Sequence, residues 1–176
     1  KAYKDSPLGW SILGTEKSLS KISRRDLLHY YRERYSGSNI IVSAAGPIEH
    51  DEVVEMVEKA FKVKRGRKVS HPGRPARWHK FKEVIEKEGE QTHIIAGFKG
   101  VSFVDPRRSE AFVLNAWLGG GMSSRLYQSI REKKGLAYTV YSNITTFEDC
   151  GALTVYAGTD SKGVGAVLDA IRKDVG

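Results

Sequence analysis

Apolar residues recur along this chain in two rhythms, and the switches between them predict most of its elements. Leu27, Leu28, Tyr31 and Tyr35 return every three or four positions after Ser23, predicting a helix capped by that serine. Residues 39–45 are nearly all apolar and short, the pattern of a buried strand. A second helix opens at Asp51, with Val53, Val54, Val57, Ala60 and Phe61 on one stripe. Residues 82–87 and 92–98 then predict two strands around a turn at Gly89, and residues 108–118 a helix. Another helix spans 124–134, and residues 138–146 and 152–157 alternate as a β-hairpin. A closing helix, capped by Asp160 or Ser161, carries Val164, Val167, Leu168, Ile171 and Val175.

The densest local information lies in residues 118–142, LGGGMSSRLYQSIREKKGLAYTVYS. Ser123 and Ser124 are N-cap candidates, because a short hydroxyl can accept from the free amides of a first helical turn. Leu126, Tyr127 and Ile130 form the apolar face, and Gly135 stands where a left-handed C′ residue belongs. Arg131, Lys133 and Lys134 suit the negative end of the helix dipole. Arg131 and Tyr138 are seven residues apart, so helix, turn and strand can point a cation and a phenol to one side. The plainer readings are a solvated cation at a helix end, and a strand tyrosine with a buried ring and a wet hydroxyl.

The order ββααββα in the second half implies an α+β fold, with a mainly antiparallel sheet and helices packed on it. The chain has 176 residues, enough for one domain or two small ones, and its 40% apolar content can supply a core. The division expected is residues 1–62 as part of a first domain, 63–82 as a basic linker, and 83–176 as most of a second domain.

Net charge of +8 raises the question of nucleic acid, and its distribution answers it. Nine Lys or Arg and no acid fall within residues 62–82, while the remaining residues hold 20 bases and 21 acids. Pro72, Pro75, Gly66 and Gly73 mark that stretch as an irregular, solvated connector. Its alternative is a basic strap for phosphate or an anionic surface, with Trp78 stacking on a base or anchoring the connector against a domain.

Other chemistry is mostly excluded. Gly119, Gly120 and Gly121 precede a helix, yet no Gly-Lys-Ser/Thr follows, and Ser124 occupies the last glycine position of a GxGxxG pattern. No GxSxG pattern is present. Cys150 is the single cysteine, which rules out an internal disulfide and a cysteine-rich metal site. His50 stands among Glu49, Asp51 and Glu52, but neighbours on a helix diverge, so dipole stabilisation is the better account of that acidity. No run approaches the roughly 20 apolar residues that cross a bilayer, and no signal peptide is visible.

Residues 118–142 resemble the C-terminal-domain signature of the pitrilysin/insulinase family of zinc metallopeptidases, which includes the mitochondrial processing peptidases. Residues 6–14 (SPLGWSILG), 35–46 (YSGSNIIVSAAG) and 47–61 (PIEHDEVVEMVEKAF) resemble other family stretches in the right order. The resemblance implies tandem domains of one α+β design, the first of them truncated here. It implies catalysis by an HxxEH zinc motif with a distal Glu ligand. None of His29, His50, His71, His79 and His93 begins such a motif, and the family's zinc set precedes the segment resembling SPLGWSILG. Zinc is therefore expected in the full-length protein and none in this chain. The chain, which has no initiating Met, is expected to be a fragment and inactive by itself.

By the same resemblance, Arg131 and Tyr138 are the catalytic pair. Arg131 orients a peptide carbonyl, Tyr138 donates to the developing oxyanion, and Gly119, Gly120 and Gly121 let the backbone approach substrate. The implied partners are a peptide or unfolded protein and a related subunit in a homodimer or heterodimer, with no nucleic acid and no membrane span. The location expected is soluble, in bacterial cytoplasm or periplasm for a bacterial processing enzyme. Two further possibilities are a zinc-less partner or scaffold subunit of a heteromeric peptidase, and a basic nucleic-acid-binding module.

Overall fold

A computed structural model describes residues 1–62, 66 and 76–176. It divides into two compact units, one made of Trp10–Gly73 and the other of Lys1–Gly9 together with Arg74–Gly176. The linker expected at 63–82 falls largely on residues outside those described.

The helical unit, Trp10–Gly73, contains α1 (Glu16–Leu19), α2 (Arg24–Arg34) and α3 (His50–Ala60). Local sequence accounts for each start. Thr15 and Ser18 form a capping box at α1, and Ser23 and Asp26 form another at α2. Asp51 and Glu52 occupy the first turn of α3. The strand expected at 39–45 is absent: Asn39 ends a 3-10 turn, and residues 40–45 have no ladder partner among the described residues. Ile41 and Val42 stay exposed. An apolar run reports a wish to be buried, but a strand also needs a neighbour for its N–H and C=O groups. The apolar faces of α2 and α3 are likewise open, with Leu27, Tyr31 and Val54 exposed.

The sheet unit is built on three antiparallel strands, β1 (Thr92–Lys99), β2 (Thr139–Thr146) and β3 (Gly151–Thr159), in the order β1-β3-β2. The β2–β3 hairpin appears as expected. The strand expected at 82–87 does not: Val84 and Ile85 are exposed, and β1 takes β3 as its partner. Periodicity alone cannot choose between a near hairpin and this more distant pairing. In the register, Ile94 lies opposite Ala157 and Ala157 opposite Val140. These side chains face α4 (Arg108–Gly119), a helical segment beginning at Arg125, and α5 (Val164–Val175). Leu118, Leu126, Ile130, Val155, Val167 and Ile171 complete a core exposed by 2% or less. The opposite face carries Ile95, Tyr156 and Tyr141 in one cross-strand row, with the two tyrosine rings stacked 5.0 Å apart.

Lys1–Gly9 joins this second unit as a strap. The buried Tyr3 hydroxyl donates to the Gly151 carbonyl at 2.6 Å, and its ring meets Trp78 edge-on at 5.5 Å. The His79 N–H donates to the Ala2 carbonyl at 2.8 Å. His79 Nε2 also lies 2.7 Å from Asp5 Oδ2, off the line of a hydrogen bond, so that contact is ionic in geometry only. Trp78 thus anchors to the fold through Tyr3 and the flat surface of Gly97, whose absent side chain leaves room for the indole.

Candidate functional site

The signature segment sits between α4 and β2, and each of its three glycines has its own physical setting. Gly119 is buried at the end of α4, where a Cβ would fall 2.3 Å from the Ser142 amide nitrogen of β2. Only glycine lets helix and strand meet this closely. Ser142 Oγ secures the approach by donating to Asn115 Oδ1 at 2.9 Å. Gly120 ends the helix, its N–H donating to the Ala116 carbonyl at 3.2 Å. Gly121 is exposed, with open space where its side chain would be. None of the three has positive φ.

The next helix differs from the one expected. Arg125 and Leu126 are α-helical, but Tyr127–Glu132 is a π-helix, with the Lys133 N–H reaching back to the Gln128 carbonyl at 3.0 Å. No serine side chain caps it. Ser124 is instead turned inward, its Oγ buried without a hydrogen-bond partner, while its backbone carbonyl accepts from the Gln128 N–H at 3.0 Å. The Gln128 side-chain amide donates to the Met122 carbonyl at 2.9 Å, which fixes the preceding loop. Gly135 closes the segment at φ 60°, as its sequence position predicts. Its N–H donates to the Arg131 carbonyl, and the Leu136 N–H donates to that of Ile130.

Arg131 and Tyr138 flank this closure, and both side chains are exposed. The Arg131 guanidinium lies 5.0 Å from the centre of the Tyr127 ring, a cation–π contact within its own helix. Tyr138 immediately precedes β2 and is pinned through its backbone, its N–H donating to the Gly158 carbonyl at 2.9 Å. The residue is 64% exposed, so the sequence reading of a strand tyrosine with a buried ring is not met. Among the described residues no hydrogen bond or ring contact joins Arg131 to Tyr138. Between them Leu136 packs on the core and Ala137 is buried, leaving a cation and a phenol offered to solvent from a tightly bonded connection.

A second feature had no signal in the sequence. Tyr3, Trp78, Asp105, Arg107, Asp149 and Cys150 line part of a cleft of about 980 Å³ in the sheet unit. Burial pushes the Tyr3 phenol up to about 12 and also raises the Cys150 thiol, so both are held neutral. The Asp149 carboxylate is held below its ordinary value, chiefly by the Ala76 N–H it accepts at 2.9 Å. The cleft brings together side chains from the strap, the 76–78 segment and the end of the hairpin. Only their folding together could reveal it.

The described residues do not fit a metal centre, for they contain no group of three His, Cys, Asp or Glu side chains able to hold an ion. His29 faces Glu33 at 3.5 Å, and His93 Nδ1 lies 2.7 Å from the Tyr156 hydroxyl. His71 lies outside the described residues. No helix among the described residues is long and apolar enough to cross a membrane.

Residues 21–175 match the family model described as the peptidase M16 inactive domain. The chain belongs to the peptidase M16 family. An uncharacterised zinc protease of Streptomyces coelicolor is 38% identical over 181 residues, covering 98% of this chain and 39% of that protein. An uncharacterised zinc protease of Rickettsia felis is 42% identical over 159 residues, covering 89% of this chain and 38% of that protein. This M16 chain therefore spans about two fifths of the length of those relatives. Its fold is shared with a chain of complex III2 from Candida albicans, at TM-score 0.79 and 21% identity over 92% of this chain and 40% of the other. The kinship to zinc proteases and the α+β fold agree with the resemblance carried by residues 118–142.

Proposed function

We propose that this M16 chain is the substrate-holding half of a zinc-dependent endopeptidase, with Arg131 and Tyr138 as its reactive side chains. The observation that carries the reading is their placement on either side of the Gly135 closure, exposed while Leu136 and Ala137 between them turn to the core. The names of the two relatives support zinc chemistry in the whole protein. The resemblance assigns the zinc set to residues outside this chain.

What these residues would do follows from their chemistry. A peptide carbonyl under attack gathers negative charge on oxygen, and a phenol O–H aimed at that oxygen stabilises the change more than the ground state. Tyr138 is that donor. The Arg131 guanidinium supplies fixed positive charge and several N–H donors, which suits it to hold the neighbouring backbone carbonyl of an extended peptide. The exposed Gly121 offers backbone with no side chain in the way of a close-lying substrate.

The test is Tyr138→Phe in the full-length protein. Loss of one oxyanion donor lowers turnover on the order of 100- to 1,000-fold, with bound zinc unchanged by metal analysis. Unchanged turnover would remove Tyr138 from the reaction. A second reading, a zinc-less partner or scaffold subunit, is favoured by the inactive-domain match and by the fold's occurrence in a chain of complex III2. It predicts a full-length protein that binds no zinc and acts only with a zinc-bearing subunit.

A further inference from the structure

The π-helix that carries Arg131 is held by a carboxylate from the far end of the chain. Asp174 lies three residues beyond Ile171 and four beyond Ala170, both buried, so helical spacing turns it toward the core side of α5. Its side chain is 10% exposed. A carboxylate so placed must find donors, and both of its oxygens do. Oδ1 accepts from Arg125 Nε at 3.0 Å, and Oδ2 accepts from the Ser129 hydroxyl. The Arg125 guanidinium also lies 5.3 Å from the centre of the Trp117 ring on α4. Three helical elements therefore converge on one ion pair.

The two donors are chosen points on the signature segment. Arg125 starts its helix and Ser129 sits in the middle of the π turn, two residues before Arg131. A π turn is rare and survives where its surroundings favour it over the α-helix. Release to ordinary i→i+4 bonding would turn the following residues by about one α-helical step, roughly 100°. That rotation would change the direction in which Arg131 leaves the segment.

We infer that Asp174 is a positioning residue for the substrate-holding site: by gripping Arg125 and Ser129 it maintains the π register that aims Arg131. This rests on the reading of Arg131 given above. Asp174 acts through binding geometry, its partners among the described residues being Arg125 and Ser129 and neither Arg131 nor Tyr138.

The experiment compares Asp174→Ala, Ser129→Ala, Arg131→Ala and the Asp174→Ala/Arg131→Ala and Ser129→Ala/Arg131→Ala pairs in the full-length protein. The readouts are peptide kinetics, thermal melting and amide hydrogen exchange. Displacement of a positioned group costs about 10- to 100-fold in kcat/KM. Asp174→Ala is expected to show that loss, to speed exchange at the Lys133 amide, and to add no further loss to Arg131→Ala. Ser129→Ala, which removes one grip and keeps the ion pair, should move the same readouts less. If Asp174→Ala melts early and yields no folded protein, Ser129→Ala alone decides by its coupling to Arg131→Ala. Losses from Asp174 and Arg131 that simply add, or a lowered melting temperature with unchanged kinetics, would overturn the inference. Should Arg131→Ala itself leave kinetics unchanged, the substrate-holding reading fails instead. The Lys133 amide then still reports whether Asp174 holds the π register.

Discussion

Gly119 and Arg131 show how differently single residues carry this site. Gly119 is defined by what it lacks, since its backbone lies against Ser142 with no space for a methyl group. Gly119→Ala should separate α4 from β2 and destabilise the protein by about 1–3 kcal/mol, the usual cost of overpacking, measured as a lower urea midpoint at unchanged slope. A wild-type midpoint would mean that the backbone relaxes freely there. Arg131 is defined by its exposure, its cation resting on the Tyr127 ring at the surface. Composition made the glycines visible. Which of them packs against a strand and which faces solvent depended on the β2 register, and no local pattern encodes that.

At the scale of elements, capping chemistry and turn geometry were the most legible. Ser23 caps α2 through the predicted hydroxyl, accepting from the Asp26 N–H, while Asp26 accepts in return from the Ser23 N–H at 2.9 Å. Hydrogen bonds from Ser23 hold the Asp26 carboxyl below its ordinary value, with the side-chain bond the larger cause. A carboxyl depressed in this way stabilises the folded chain above the ordinary Asp range near 3.9. The contribution is lost as pH falls through the depressed value. Ser23→Ala removes the N-cap hydroxyl, a loss of about 0.5–2 kcal/mol at neutral pH, and should also flatten the response to acid, both followed by circular dichroism. An unchanged acid profile would show the box to be idle in solution. Legibility failed where an element needs a partner far along the chain. Residues 39–45 and 82–87 have strand composition without a ladder, and β1 found β3 instead of its nearer neighbour. The π turn was equally hidden, because its apolar spacing over Leu126, Tyr127 and Ile130 also satisfies an α-helix.

For the molecule as a whole, the resemblance was readable from four short stretches, while the cleft and the strap were not. Tyr3 is the strap's deepest residue, and its phenol is held neutral up to about 12, mainly by burial and next by Cys150. An unfolded tyrosine ionises near 10, so between those values the unfolded chain binds fewer protons and stability falls as pH rises. Tyr3→Phe should lose about 0.5–1.5 kcal/mol below pH 10 with the bond to Gly151 and then lose less than the wild type on further alkalinisation. Parallel alkaline profiles for the two proteins would place Tyr3 outside the fold in solution. The same bond also has a consequence in time. Gly151 follows Tyr3 by 148 positions, and Trp10–Gly73 lies wholly within the loop that the bond closes. That contact cannot form during synthesis until Gly151 has left the ribosome, so the strap waits for a residue made 148 positions later before it settles.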